Sequence, residues 1–337
     1  MSTVLRPSTT SPQHLRMMSV AARLYFVQEI RQREVAQRLG VSQARVSRLL
    51  RQAHDCGIVC TLLNIPEGLH PDLEEQVEQR YGVSEVHVVE VPAPDDAVPY
   101  ALGWAAARFF SVGTLRGATI GFTSWSTTLQ ELAGALDDTL PRTGVQRVVE
   151  TVGGLGPPAA QHAAARATQR LSRLLGAEPV YLRTPGIAST PAARESAARD
   201  PHVQRALELL SDLDVVFVGV GPSLPPPAPG GDGLLTPDQL QQVRDLGAAG
   251  QIVQRQLDAD GRPLPSALDD LVVGITLPQL MQARRRVVVA GGRSKHSAIA
   301  AAVRGGWVDV LMTDVQTARH LVAEPGDSPL ATSPTRP

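Results

Sequence analysis

Four short segments place hydroxyl and glycine residues where a chain could grip an anion: Thr123 to Thr128, Gly153 with Gly154, Gly219 with Gly221, and Gly291 to Ser294. Each follows a stretch that reads as a β-strand. Backbone N–H groups left bare by small residues, together with the positive end of a following helix, favour phosphate or carboxylate. Any one of these segments serves equally well as an ordinary strand-to-helix turn, and it is their recurrence that points to a ligand. Lys295 is the only lysine among 32 basic residues. It follows the last segment and opens a predicted helix, where a compact ammonium suits contact with a phosphate.

A second polar set implies different chemistry. From Gln32 the chain reads QREVAQRLGVSQARVSRLLRQA, the spacing of a helix-turn-helix. Val35, Ala36 and Leu39 form an apolar stripe, Gly40 supplies a left-handed residue to end the first helix, and Val41 plugs the turn. Ser42 is a good N-cap for the next helix, in which Val46, Leu49, Leu50 and Ala53 recur at i, i+3, i+4 and i+7. Gln43, Ala44, Ser47, Arg48 and Arg51 are left facing outward with Arg45 at the flank, and Gly57 closes the helix. Such a set reaches base edges and phosphates in a major groove of double-stranded DNA, with Arg48 the best candidate base reader. A supporting helix from His14 to Ile30 would turn Val20, Leu24 and Val27 towards the pair.

Behind this module the pattern alternates strand and helix. Strands are predicted at Glu85 to Val91, Thr119 to Gly121, Arg147 to Val152, Pro179 to Leu182, Val215 to Gly219, Val287 to Ala290 and Val308 to Met312. Helices are predicted at Pro71 to Tyr81, Ala101 to Phe110, His162 to Leu175, Pro237 to Leu246 and His296 to Arg304. The alternation implies an α/β domain with a parallel sheet covered on both faces, whose ligands sit beyond the carboxyl ends of the strands. Pro222 to Gly233 reads as an irregular surface loop.

Composition agrees with two domains, and the expected boundaries are a tail at 1–13, the helix-turn-helix at 14–66, the α/β domain at 67–324 and a tail at 325–337. Residues 1 to 66 carry nine arginines against Glu29, Glu34 and Asp55, although the whole chain has a net charge of −1. That asymmetry suits an end that meets a polyanion. No apolar run approaches a bilayer's width, and the first residues lack the apolar core of a secretory signal, so no membrane partner and a cytoplasmic location are expected. Only two cysteines occur. Cys56 and Cys60, with His54 and His70 nearby, could be imagined around zinc, but without a second Cys pair they read better as buried small residues, and neither a metal nor a cofactor is expected.

Several blocks, in order, resemble the SorC family of bacterial sugar-metabolism regulators, the SorC/DeoR type. They are RLGVSQARVSRLLRQAHDCGIV, QRYGVSEVHVV, DLDVVFVGVG, LDADGRP, DDLVVGITLPQL and VVVAGGRSKHSAIAAAVRGGWVDVLMTD. The resemblance implies a winged or extended helix-turn-helix, and a Rossmann-like effector domain similar to sugar-phosphate isomerases. It also implies a phosphorylated sugar or polyol as effector, and assembly as a homodimer or homotetramer. Carried onto this chain, Ser124, Trp125, Ser126, Thr127 and Thr128 would bind phosphate, Gly153 and Gly154 would line the sugar pocket, and Lys295 would meet the phosphate. Gly219, Gly221 and Gln251 complete the candidate effector set. Two departures stand out. Ser126 replaces a glycine usual after Ser-Trp, and Gly250-Gln251-Ile252 replaces Gly-Asp-Ile, removing a carboxylate that could accept sugar hydroxyls. An altered or unphosphorylated effector is therefore open.

The expected function is an allosteric, sequence-specific regulator of a sugar or polyol operon, not an enzyme. Two alternatives are a sugar-phosphate isomerase or deaminase fused to a DNA-binding head, with Asp258 as a possible acid, and a constitutive DNA binder whose large domain only mediates assembly.

Overall fold

The computed structural model describes residues 11–59, 68–91, 97–112, 119–136, 144–223 and 235–324. The chain divides into two compact units, Met1–Pro66 and Glu67–Pro337. The tail residues 1–10 and 325–337, Cys60 with the possible wing at 60–67, and residues 224–233 of the irregular loop lie outside the described residues.

In the first unit, Ser11 caps α1 (Pro12–Ala22) by accepting from the His14 N–H. The helix therefore begins two residues inside the expected tail. It passes into a single π-helical turn, Arg23–Val27, and does not continue regularly to Ile30. Gly40, at φ 65°, ends α2 (Gln32–Leu39), and Ser42 starts α3 (Gln43–Asp55) by accepting from the Arg45 N–H. Val35, Ala36, Val46, Leu49, Leu50 and Ala53 are buried together, with Leu39 and Val41 packed against them. The expected inward face of the first helix needs correction. Met18, Ala21 and Ala22 fill the core, whereas Val20 is 39% and Val27 75% exposed. Positions 18, 21 and 22 share one side of a 3.6-residue helix, and the wider π turn then rotates Val27 away. Leu24 remains at the cluster's edge.

The second unit opens with α4 (Pro71–Tyr81), β1 (Glu85–Val89), α5 (Val98–Val112), β2 (Thr119–Phe122) and α6 (Thr127–Ala135). It continues through β3 (Arg147–Glu150), α7 (Pro158–Leu175), β4 (Glu178–Val180), α8 (Pro191–Ala198), α9 (Pro201–Leu209) and β5 (Val215–Val218). Next come β6 (Val220–Gly221), α10 (Pro237–Asp245), β7 (Gly250–Ile252), β8 (Arg255–Leu257) and α11 (Leu277–Gln282). The unit closes with β9 (Arg285–Val289), α12 (His296–Arg304), β10 (Val310–Asp314) and α13 (Val315–Ala323). Proline occupies the first turn of α4, α7, α8, α9, α10 and α11, where its missing N–H costs nothing. Thr236 and Thr276 form capping boxes with Gln239 and Gln279.

Seven strands form one parallel sheet in the order β1-β10-β9-β5-β2-β3-β4. Parallel strands are covered on both faces, hence their largely apolar content. Val216, Val218, Val288 and Leu311 enter one core; Val215, Phe217, Val287, Val289, Val310 and Met312 enter the other. From β2 the chain works outward to β3 and β4, then returns with β5 on the opposite side of β2. That reversal is a topological switch point, where open α/β sheets leave a crevice for ligands. A small antiparallel sheet, β6-β7-β8, was not foreseen.

Candidate effector cleft and nucleic-acid interface

The loops beyond the carboxyl ends of β2, β3 and β4 enclose a cleft of about 950 Å³, lined in part by Ser124, Trp125, Glu150, Gly153, Gly154, Arg166, Gln169, Tyr181 and Arg183. Its floor is Glu150, the last residue of β3 and only 8% exposed. The carboxylate accepts from Ser124 Oγ at 3.2 Å, Thr168 Oγ1 at 3.0 Å and the Leu182 N–H at 3.1 Å. One side chain thus ties the loop after β2, helix α7 and the loop after β4. Burial still outweighs these donors and pushes its pKa above the usual glutamate value. Trp125, by contrast, has its indole N–H buried with no hydrogen-bond partner. An unpaired donor beside an open cleft is available to a ligand.

The candidate loop residues divide by role. Ser126 sits at the N-cap of α6 without capping it through its side chain, so the first N–H groups of the helix remain for an anion. Thr127 is exposed on the first turn. Thr128 is 1% exposed, so its side chain belongs to the core and only its backbone remains a candidate contact. Gly219 meets Ser126 across the switch point, where a Cβ on Gly219 would stand 2.9 Å from Ser126 Oγ. Gly153 lines the cleft for a packing reason as well, since a Cβ there would fall 2.5 Å from the Thr184 carbonyl oxygen.

Gly221 and Gln251 do not join this cleft. They face each other across β6 and β7, and Gln251 lines a separate small pocket with Gln254, Gln256 and Ser223. Its Oε1 accepts from the Gln254 N–H at 3.1 Å. Lys295 occupies a third position, at the end of a 3-10 turn, Arg293–Lys295, that leads into α12. Asp314 pins the preceding loop, accepting from the Gly292 N–H at 2.8 Å, Thr317 Oγ1 at 2.6 Å and the Thr317 N–H at 2.9 Å. Burial lowers the Lys295 pKa, and its ammonium has no carboxylate partner among the described residues. A desolvated, unpaired cation gains most from a bound anion.

The residues missed in the sequence are chiefly Glu150, Arg166, Gln169, Tyr181 and Arg183. Glu150 had a signal: a lone carboxylate in the valine-rich run RVVETV must find buried donors. The others come from α7 and the loop after β4, and only the fold brings them together. Asp258 is not a pocket acid, since its Oδ1 accepts from the Asp260 and Arg262 N–H groups within a turn. Among the described residues no cluster of His, Cys, Asp and Glu could hold a metal ion, and no helix is long and apolar enough to cross a membrane.

On the first unit, Ser42, Gln43, Ala44, Arg45, Ser47, Arg48 and Arg51 are all exposed along α3. Arg48 Nε donates to the Ala44 carbonyl at 3.4 Å. The helix thus carries one greasy and one basic face, as a major-groove reader requires.

Comparison with known proteins agrees with both halves. Residues 69–323 match the family described as "Putative sugar-binding domain", and residues 23–56 match sigma-70 region 4. The chain belongs to the SorC-type family of sugar-responsive transcriptional regulators. It is 29% identical over 303 residues to the deoxyribonucleoside regulator of Bacillus subtilis, covering 90% of this chain and 96% of that one. The corresponding domain of the regulator DeoR from Pseudomonas syringae pv. tomato is 31% identical, with 76% of this chain and 100% of that one aligned at a TM-score of 0.59. The full-length sorbitol operon regulator SorC of Klebsiella pneumoniae has the same fold, with a TM-score of 0.65, 24% identity and 92% and 99% coverage.

Proposed function

We propose that this regulator binds operator DNA through α3 and is controlled by a phosphorylated sugar or polyol held at the carboxyl edge of the parallel sheet. The observation that carries this reading is the conjunction, at the carboxyl end of β2, of the uncapped start of α6 and the free Trp125 N–H, with the cleft opening beside Ser124 and Trp125 towards β3 and β4. The phosphate would sit at the N-terminus of α6, with the unpaired Lys295, in the loop after β9 and two strands from β2, supplying charge from that side. The sugar would extend over Gly153 and Gly154 towards Glu150. Control requires that the effector bind one arrangement of the protein better than another, and a homodimer or homotetramer with paired recognition helices would turn that difference into operator affinity.

Catalysis is not part of this reading. Glu150, the one buried carboxylate of the cleft among the described residues, already accepts three hydrogen bonds, which suits a structural tie better than a proton shuttle. The site of action would be the cytoplasm, where operator DNA is met.

The test is fluorescence anisotropy of the full-length protein on DNA from upstream of its own gene, titrated with phosphorylated and unphosphorylated sugars and polyols of four to six carbons. A phosphorylated member should shift operator affinity at least fivefold. If DNA binds and no member of the series changes its affinity, control by a phosphosugar is refuted.

A further inference from the structure

The charged lining of the cleft is uneven in a way that a phosphate at α6 does not use. Among the described residues, the charged side chains facing it besides Glu150 are Arg166, from the middle of α7, and Arg183, from the loop after β4. Neither guanidinium has a carboxylate partner among the described residues, although nine other arginines of this unit do. Both are exposed at the cleft mouth, and Arg183 lies 5.6 Å from the centre of the Tyr181 ring, which orients it. Glu150 forms no direct ion pair with either guanidinium, its oxygens being held by Ser124, Thr168 and the Leu182 N–H, but its charge reaches Arg183 and offsets part of the pair's charge.

We propose that Arg166 and Arg183 form a second anion subsite and that the effector is a phosphorylated sugar acid, with its carboxylate on these arginines and its phosphate at α6. This rests on the reading above that a phosphosugar occupies the cleft. Sheet order sets the span: α6 starts after β2 and Arg183 follows β4, two strand spacings or about 10 Å away. An extended six-carbon chain carrying one anion at each end fits such a span. Guanidinium forks match a planar carboxylate. A planar carboxylate takes a guanidinium fork edge-on, and the Glu150 carboxylate beneath the pair lowers the positive charge that would otherwise favour a doubly charged phosphate.

The experiment is isothermal titration of the full-length protein with three probes that differ only at carbon 1: a hexitol 6-phosphate, the matching hexonate 6-phosphate and the hexitol 1,6-bisphosphate. The hexonate 6-phosphate should bind at least tenfold more tightly than either of the others. Arg183→Gln and Arg166→Gln, both at exposed positions, should remove that preference while leaving the hexitol 6-phosphate affinity within twofold. Lys295→Gln should weaken all three probes together. Equal affinity for hexitol and hexonate phosphates, tighter binding of the bisphosphate, or a preference that survives both arginine changes would each overturn the sugar-acid assignment and leave the phosphosugar reading standing. Failure of all three probes to bind would overturn the sugar-acid assignment, and the operator titration decides the phosphosugar reading separately.

Discussion

Replacing Glu150 tests whether the cleft is held open by one buried carboxylate. In Glu150→Ala the Leu182 N–H loses its acceptor in a buried position, and Ser124 Oγ loses its partner, whereas Thr168 Oγ1 keeps the Ala164 carbonyl at 3.2 Å. One stranded buried N–H costs about 1–3 kcal/mol. Removing a desolvated carboxylate offsets part of this, so a net loss of about 1–2 kcal/mol is expected, or roughly 2–8 °C in Tm for a domain of this size. Glu150→Gln should differ. Its amide oxygen can take the Leu182 N–H, while its amide nitrogen donates to a hydroxyl that reverses direction, because Ser124 and Thr168 can each donate or accept. The variant should melt within about 2 °C of the parent, on the same scale of a few degrees per kcal/mol. The pH dependence follows from the raised pKa of Glu150. An acid that holds its proton more tightly when folded destabilises the fold progressively as pH rises from the ordinary glutamate value through the folded one. The parent's stability relative to Glu150→Gln should therefore fall across that window and level off above it. Differential scanning fluorimetry of the three proteins from pH 4 to pH 8 measures this. A Glu150→Gln variant as unstable as Glu150→Ala, or a parent that gains on Glu150→Gln as pH rises through the window, would refute the reasoning.

Other parts of the molecule carry their own expectations. Arg48→Ala with Arg51→Ala should weaken operator binding and flatten the slope of log affinity against log salt by about 0.9 for each DNA phosphate that is no longer neutralised; a salt titration reads both. Lys295→Gln should cost a phosphorylated probe about 10–100-fold in affinity, the worth of one charge-assisted hydrogen bond, and leave an unphosphorylated analogue unchanged by calorimetry. Gly261→Ala should destabilise the second unit by about 1–3 kcal/mol in urea melts, because its Cβ would stand 2.1 Å from the Ala301 carbonyl oxygen at a φ of +78°.

Much of the fold was legible because its signals are local. Gly40, Ser42 and the i, i+3, i+4, i+7 apolar set of α3 act within a few residues of one another, and the structure realises each of them. All seven strands of the parallel sheet begin close to their expected positions, since burial on both faces leaves mostly apolar runs with no polar alternation to mislead. The face of α1 was misread because a π-helical turn breaks the period on which the reading depended. The antiparallel β6-β7-β8 was missed because its strands are two or three residues long, too short to show any period.

The site divides along the same line. The amino-acid sequence by itself determined which loops could bind an anion and which helix could meet DNA, because small residues, hydroxyls and caps declare themselves locally. It did not determine which of those loops share a cavity. Ser124, Gly153 and Gly154 meet because β2 and β3 are neighbours; Gln251 stands apart because β7 pairs with β6; and Arg166 and Arg183 enter because α7 and β4 flank the same edge. Strand order is settled by burial of whole faces and by hydrogen bonds between segments distant in the chain, and no local pattern encodes it.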